Sequence, residues 1–236
     1  MLRNPMASLA HQIDACLAQL GTERFPQAFC DLVEAMEVDQ IMVFSLRADH
    51  ASCLLSRHFR HAALAEKLAT QYLDRWFLKD PLLADLLAAA PGTVAVRRLE
   101  DVQADMDAVY RRIFFDEPGL TAKTTLLAAG DSLRLFVSLY RSKRGPDGPA
   151  PDLARLVGRL ALLHFEKAAD TGIPPPLAVL STREQAVCLG ILAGQKAESI
   201  AADLGVAPST VVTYRKRAYE KLGLTSRAGL FAICRD

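Results

Sequence analysis

Basic side chains are concentrated in residues 207–223, APSTVVTYRKRAYEKLG, where they could bind the phosphates and bases of a nucleic acid. Arg215, Lys216, Arg217 and Lys221 fall within seven consecutive positions. Guanidinium and ammonium groups donate hydrogen bonds to phosphate oxygens and to the O6 and N7 atoms of guanine. A basic run on a helix is also typical of a solvated face, so the surrounding residues must decide between the two interpretations.

The flanking sequence predicts short helices with clear ends. Ser181 followed by Glu184 fits a capping box, which starts a helix that Gly194 ends. A second helix is predicted over 197–204, and a third over 208–222 begins at a proline and stops at a glycine. Two short helices joined by a tight glycine-containing turn form a helix-turn-helix, whose second helix enters the DNA major groove.

The third helix has an apolar side and a polar side. With about 3.6 residues per turn, its buried stripe is predicted to consist of Val211, Tyr214, Ala218 and Leu222. Only the first two turns of a recognition helix reach base edges. The predicted base-reading residues are therefore Ser209, Val212, Thr213 and Lys216.

Other residues of this region are predicted to hold the DNA backbone and so to set register and affinity. The predicted phosphate contacts are Thr210, Arg217, Lys221 and Arg227. Arg215 lies nearer the buried side of the helix, so an internal ion pair and a phosphate contact both stay open for it.

Residues 177–234 resemble the LuxR-type, or GerE-type, helix-turn-helix domain of bacterial transcription regulators. The resemblance rests on LSTREQAV in the first helix, SIAADLGV in the second, STVVTYRKRAYEKLG in the third and LTSRAGL before a fourth. It implies an all-α four-helix domain that binds double-stranded DNA sequence-specifically. It also implies a homodimer that uses the fourth helix, which carries Leu230, Phe231 and Ile233. The positions that depart from the family pattern are Ala207, Val212 and Tyr214.

Residues 1–169 have the pattern of an α+β domain. Short apolar runs broken by polar turns predict β-hairpins over 41–59 and 124–142. Helical spacing predicts helices around them, over 6–19, 23–37, 62–77, 104–115 and 152–168. Together these elements predict an antiparallel sheet in an α-β-α sandwich of the PAS or GAF kind. The prolines of DTGIPPPLAV place a linker at 170–176, before the helix-turn-helix domain at 177–236.

Composition indicates a soluble globular protein in a reducing compartment. The 236 residues carry a formal net charge of +1, and 51% of them are hydrophobic, which suits a chain with a buried core. Five widely spaced cysteines without a CxxC pair favour reduced thiols. No run approaches the roughly 18 apolar residues that span a bilayer, and no signal peptide is predicted. We expect a cytoplasmic protein with no membrane partner.

The segment QYLDRWFLKDPLL carries the candidate ligand-binding residues Tyr72, Trp76 and Asp80. It resembles part of the autoinducer-binding domain of quorum-sensing regulators, in which aromatic residues surround an acyl homoserine lactone and an Asp accepts its amide N–H. Trp76 lies four residues before Asp80 and is predicted on the same helix face. Gln71 and Lys67 stand where that family has aromatic residues.

Three kinds of control stay open for the N-terminal domain. They are a small apolar or amphipathic ligand in a pocket, an acyl homoserine lactone, and constitutive DNA binding with the domain contacting another protein. Phosphorelay control is excluded because DQIMVFSLRAD lacks the acidic pair of a receiver domain.

No motif indicates that the chain is an enzyme. GxSxG, phosphate-binding glycine loops and HExxH are all missing from the sequence. His58 and His61 form an HxxH pair without a carboxylate or cysteine at ligand spacing. Neither a metal nor a cofactor is therefore expected.

Overall fold

An antiparallel five-stranded sheet forms the centre of the N-terminal domain in the computed structural model, which describes residues 5–59, 62–142 and 148–234. Its strands lie in the order β2-β1-β5-β4-β3. They are β1 (Gln40–Leu46), β2 (Ala51–His58), β3 (Thr93–Arg98), β4 (Ala122–Ala129) and β5 (Arg134–Arg141). Both predicted hairpins are confirmed, whereas the sequence pattern did not reveal β3.

Helices cover both faces of the sheet, so the predicted α-β-α arrangement is confirmed. One layer consists of α1 (Pro5–Ala18), α2 (Phe25–Glu34) and α7 (Pro151–Asp170). The other consists of α3 (Ala62–Leu73), α4 (Leu83–Ala88), α5 (Leu99–Val102) and α6 (Ala108–Arg111). Within the described ranges no helix is long and apolar enough to cross a membrane.

Alternation along β1 shows how the sheet separates two cores. Ile41 and Val43 belong to the core beneath α1, α2 and α7, while Met42 and Phe44 belong to the core beneath α3 to α6. Successive side chains of a strand point to opposite faces. Because both faces are covered, β1 is apolar along most of its length.

The helix predicted over 62–77 is shorter in the structure. It ends at Leu73, because Arg75 adopts a left-handed conformation with φ of 62°. A 3-10 helix, Trp76–Lys79, follows, and Asp80 is its extended C-terminal cap. The prediction that Trp76 and Asp80 lie on one α-helical face is therefore wrong.

The helix predicted over 104–115 begins later than expected. Asp107 accepts hydrogen bonds from the N–H groups of Val109 and Tyr110, which starts α6 at Ala108. The chain then continues as a π-helical turn, Arg112–Asp116.

The proline-rich segment is part of the packed structure. Pro175 starts a 3-10 helix, Pro175–Val179, and Leu177 within it is completely buried. The prolines fit the start of this helix, because the first residues of a helix need no N–H donor. The linker at 170–176 stays a prediction. Ala178 packs in the core of the N-terminal domain and Leu177 in that of the C-terminal domain.

Polar contacts join the two domains on either side of this segment. Ser52 Oγ of β2 donates to the carbonyl of Ile233 at 3.2 Å and lies 3.0 Å from His50 Nε2. The N–H of Thr182 donates to the Glu23 carboxylate at 3.2 Å. The C-terminal domain is thereby held against the β1–β2 hairpin and the turn between α1 and α2.

The C-terminal domain has the four helices predicted for it. They are α8 (Thr182–Leu192), α9 (Ala197–Leu204), α10 (Pro208–Leu222) and α11 (Arg227–Ile233). Gly205 ends α9 and Gly223 ends α10, both in the left-handed conformation with φ near 65°. Ala207 provides no side-chain hydrogen bond to the start of α10.

Glu184 connects the start of α8 to the end of α10. The N–H of Ser181 donates to Glu184 Oε2 at 2.9 Å, and Ser181 Oγ accepts the Glu184 N–H at 3.4 Å, which confirms the capping box. Lys221 Nζ donates to the same Oε2 at 2.6 Å, and the Glu184 side chain is only 4% exposed. Burial alone would raise the pKa of Glu184. Hydrogen bonds from Lys221 and Ser181 outweigh it and lower the pKa below its ordinary value of 4.5.

Replacing Glu184 with Gln should destabilise the C-terminal domain by about 1–3 kcal/mol at neutral pH, because Lys221 loses its buried anionic partner. A carboxyl whose pKa folding lowers stabilises the protein above its unfolded pKa, and this contribution disappears as the pH falls through the folded pKa. Below pH 4.5 wild type should therefore lose stability more steeply than E184Q. Urea denaturation followed by circular dichroism measures this, with Trp76 fluorescence reporting the N-terminal domain separately.

Glu220→Gln is the matched control. The Glu220 carboxylate lies 3.8 Å from Lys216 Nζ on an exposed surface, and losing such a pair should cost at most about 0.5 kcal/mol. Equal pH dependence in wild type and E184Q would contradict the role given to Glu184.

Candidate DNA interface and candidate ligand site

The N-terminal half of α10 presents an uncovered surface. The four residues predicted to read bases are all exposed there, namely Ser209, Val212, Thr213 and Lys216. Val212 is 46% exposed, which is unusual for a large aliphatic side chain that belongs to a core. Thr213 Oγ1 donates to the carbonyl of Ser209 at 3.1 Å, so its hydroxyl is bonded within the helix.

The opposite side of α10 is the buried stripe that the periodicity predicts. Val211 and Ala218 are buried, and Tyr214 and Leu222 pack partly buried against the same core. Tyr219, which the prediction left out, also packs there. Arg215 is exposed, and no ion pair is found for it within the described parts of the chain.

The predicted phosphate contacts differ in how free their side chains are. Arg217 is exposed and Thr210 is half-buried. Lys221 is paired with Glu184. Arg227 donates to the carbonyl of Ile191 at 3.2 Å, and its guanidinium lies 5.5 Å from the Phe231 ring. Two of the four predicted contacts therefore already have partners within the domain.

The three large apolar residues of the fourth helix, α11, differ in their exposure. Leu230 is completely buried in the core of the C-terminal domain, so its side chain does not contribute to the exposed surface of α11. Phe231 is 39% exposed, and Ile233 is half-buried beside Ser52. An exposed apolar patch on α11 is centred on Phe231.

The Asp80 carboxylate is the centre of a buried polar cluster in the N-terminal domain. Its Oδ2 accepts hydrogen bonds from the hydroxyls of Tyr72 at 3.1 Å and Tyr110 at 2.9 Å. Its Oδ1 accepts the N–H of Leu82 at 3.1 Å. Lys123 Nζ lies 3.6 Å from Oδ2, and both side chains of this ion pair are at most 8% exposed. The predicted neighbours Tyr72 and Asp80 are thus in direct contact.

Trp76 lies at the edge of this cluster rather than inside it. Its ring centroid is 6.1 Å from that of Phe114 and 6.5 Å from that of Tyr110, and the side chain is half-buried. Lys79 Nζ lies 4.9 Å from the Trp76 ring. This cation–π contact covers part of the indole on its outer side.

The surroundings of Asp80 shift the pKa values of two tyrosines and one lysine of the cluster. Burial, and next the negative charge of Asp80, raise the pKa of Tyr72 and of Tyr110 well above 10, so both phenols remain donors. Burial alone would lower the pKa of Lys123, but contacts with Tyr140 and Asp80 outweigh it and raise the pKa. The ammonium therefore stays charged beside the carboxylate.

Sequence reasoning missed Tyr110 and Lys123 as members of this cluster. Tyr110 belongs to a helix that continues into a π turn, and Lys123 is the second residue of β4. A lysine at the start of a strand is ordinarily read as an exposed end. Nothing in the local pattern indicates that this one is buried against an aspartate.

The histidine and cysteine residues form no obvious site in the part of the chain that the structure describes. No group of three His, Cys, Asp or Glu side chains there could hold a metal ion. His58 is buried and engaged by neighbouring groups, and His61 lies outside the described residues. Cys188 is buried, and burial raises its pKa to about 12, whereas Cys234 is only half-buried.

A family model matches the C-terminal domain. Residues 178–233 match the family model GerE, bacterial regulatory proteins, luxR family. The probable transcriptional regulatory protein NarL of Mycobacterium tuberculosis is 46% identical over 124 residues, which are 50% of this chain and 54% of that protein. The chain thus spans about half the length of this curated relative.

Two further matches cover more of the chain. A putative HTH-type transcriptional regulator in the exeN 3' region of Aeromonas salmonicida is 31% identical over 182 residues, which are 65% of this chain and 92% of that protein. The solved structure of SdiA in complex with octanoyl-rac-glycerol covers 99% of this chain and 97% of that chain, with a TM-score of 0.50 and 13% identity. At this identity the match concerns the fold, an α-β-α domain followed by a helical DNA-binding-type domain. The chain belongs to the LuxR family of bacterial regulatory proteins.

Proposed function

We propose that this chain regulates transcription by binding double-stranded DNA through α10, under the control of a small molecule held in the N-terminal domain. The DNA-binding part of this proposal rests on the contrast between the buried side and the exposed side of α10. Val211 and Ala218 are buried on one side, while the start of the helix leaves Val212 and Lys216 uncovered on the other. A helix with this division in a helix-turn-helix fits the major groove.

Roles at the DNA follow from chemistry and exposure. Ser209, Val212, Thr213 and Lys216 read base edges, and the ammonium of Lys216 donates to guanine O6 or N7. The residues that hold phosphates are Thr210, Arg217, Lys221 and Arg227. Arg217 is the strongest of these candidates, because its guanidinium is exposed and carries no ion pair within the described ranges.

A homodimer is part of the proposal. Helix-turn-helix proteins bind two half-sites about one DNA turn apart, so operator symmetry mirrors the symmetry of the protein. Phe231 is the exposed apolar residue of α11 on which such a contact would centre. A ligand would act by shifting the population towards the dimer geometry that places both copies of α10 in successive grooves.

The proposal of small-molecule control rests on the fold and on the buried polar cluster around Asp80. The matched SdiA structure contains octanoyl-rac-glycerol, and the same fold here encloses polar groups among aromatic rings. Tyr72, Trp76 and Asp80 are the proposed ligand contacts, and an acyl homoserine lactone or another small molecule is the proposed signal. A ligand would have to exchange its hydrogen bonds with those that Asp80 now receives from Tyr72 and Tyr110.

The saturation of Asp80 also favours a second candidate function. Its two carboxylate oxygens already accept hydrogen bonds from Tyr72, Tyr110 and Leu82, and Lys123 neutralises its charge. An N-terminal domain in which the hydrogen bonds of Asp80 are already made suits a regulator that binds DNA constitutively. Such a regulator would use this domain to contact another protein.

Lys216→Ala should change the preferred base at one operator position, because a side chain that donates to a base edge discriminates by about 1–3 kcal/mol. Arg217→Ala should instead weaken binding to all sequences alike and reduce the salt slope of log K by about one. Selection of bound sequences from a random DNA pool, followed by titrations at several salt concentrations, measures both effects.

Two comparisons make this test specific. Arg155→Ala, which removes an exposed arginine of α7, should change neither quantity. Lys221→Ala should weaken all sequences and also destabilise the C-terminal domain, because it removes the partner of Glu184. Unchanged DNA binding by folded Lys216→Ala and Arg217→Ala would show that the assigned face of α10 is wrong.

A compound that binds only the folded N-terminal domain must raise its melting temperature. We expect a chemically varied panel to contain at least one compound that raises the melting temperature of the full chain, followed by Trp76 fluorescence, and that changes its affinity for the operator. The absence of any shift, together with unaltered operator binding by the untreated protein, would reject small-molecule control in favour of the constitutive alternative.

A further inference from the structure

A row of four polar side chains crosses the sheet beneath the helices α3 to α6. Gln40 of β1 pairs with His58 of β2 and with Tyr140 of β5, and Tyr140 pairs with Lys123 of β4. Directly paired residues of neighbouring antiparallel strands project from the same face of a sheet. All four are buried, with at most 8% of their surface exposed. We call this set the polar row.

Gln40 is the member of the polar row whose side chain the protein leaves unsatisfied. It is completely buried, and neither Nε2 nor Oε1 has a hydrogen-bond partner among the described residues. A carboxamide offers two donors and an acceptor oxygen. The position therefore suits a bound molecule that supplies both an acceptor and a donor.

Lys123 and Asp80 neutralise each other at one end of the polar row. Their ion pair spans 3.6 Å in a site where both side chains are buried. A ligand with a net charge would upset this balance, because a further buried charge requires its own partner. The row as a whole thus favours a neutral ligand.

Two residues further along these strands, the paired residues on the same face of the sheet again include polar side chains. Met42 pairs with Ser138, and Ser138 pairs with Thr125. Ser138 is 2% exposed and Thr125 is 1% exposed. An alkyl chain placed over this surface would press methylene groups against the Gln40 amide without offering it a hydrogen bond, which is unfavourable.

Two residues further still, the same face of the sheet is covered by aromatic rings of the protein. Phe44 pairs with Phe136 there. The ring of Phe44 lies 4.5 Å from that of Tyr72, which in turn meets Phe114 edge-on at 5.9 Å. An alkyl tail would have to displace these rings.

We propose that the polar row binds a compact, neutral ligand that carries an adjacent hydrogen-bond donor and acceptor, such as a lactam or a carboxamide, rather than a molecule with a long alkyl chain. The inference rests on the proposed small-molecule control of this domain. The Gln40 amide donates to the ligand and accepts from it, and this pairing satisfies the side chain that the free protein leaves without a partner.

Gln40→Met tests the inference, because it keeps the length of the side chain and removes the amide. The ligand-free full chain should melt about 2–8 °C higher as Q40M, since an unpaired buried amide is lost. A set of water-soluble lactams and carboxamides is then compared with octanoic acid, 1-octanoylglycerol and N-octanoyl homoserine lactone. A compact compound should raise the melting temperature of wild type, and Q40M should weaken its apparent affinity by about tenfold or more.

Gln27→Met is the matched control, because Gln27 is exposed on α2 and bonds to Asp31 there; it should leave the ligand response unchanged. A lower melting temperature for Q40M would overturn the inference, since the amide would then serve the free protein. Binding by the alkyl compounds alone would overturn it while leaving the proposed function intact. If no compound of either kind binds, the proposed small-molecule control itself fails.

Discussion

The carboxylate of Asp80 ties one helical layer of the N-terminal domain to the sheet. It accepts hydrogen bonds from Tyr72 of α3, Tyr110 of α6 and the N–H of Leu82, and it pairs with Lys123 of β4. Each of these groups is buried, and each would be unfavourable there without its partner. The contacts therefore require one another, and together they fix where α3 ends and how α6 lies over the sheet.

A second buried carboxylate has the corresponding part in the C-terminal domain. Glu184 caps α8 through Ser181 and holds the end of α10 through Lys221. The start of α10 is uncovered, with Val212 on the outside and Val211 in the core. In both domains a charge that is costly to bury sets the geometry of the helix beside it, and the proposed recognition surfaces depend on that geometry.

Local signals predicted the C-terminal domain well, because its helix ends depend on residues that act on their near neighbours, such as Ser181 and Gly205. The Asp80 cluster was only partly predictable, since Tyr110 and Lys123 come from distant parts of the chain and no local pattern indicates their burial. The end of α3 was not predicted from the sequence. The left-handed residue that follows it is Arg75, whereas such a residue is usually Gly or Asn. Strand β3 was missed because its sequence, TVAVRR, is only partly buried and ends in arginines.

A double-mutant cycle on Asp80 and Lys123 tests the dependence of the N-terminal domain on this carboxylate most directly. The unfolding free energies of wild type, Asp80→Asn, Lys123→Met and the double variant are measured through Trp76 fluorescence. Either single change should destabilise the domain by about 3–5 kcal/mol, because it leaves the other partner buried without its counter-charge. The double variant should then be more stable than the sum predicts, with a coupling of about 1–3 kcal/mol. Additive effects within about 0.5 kcal/mol would contradict the account.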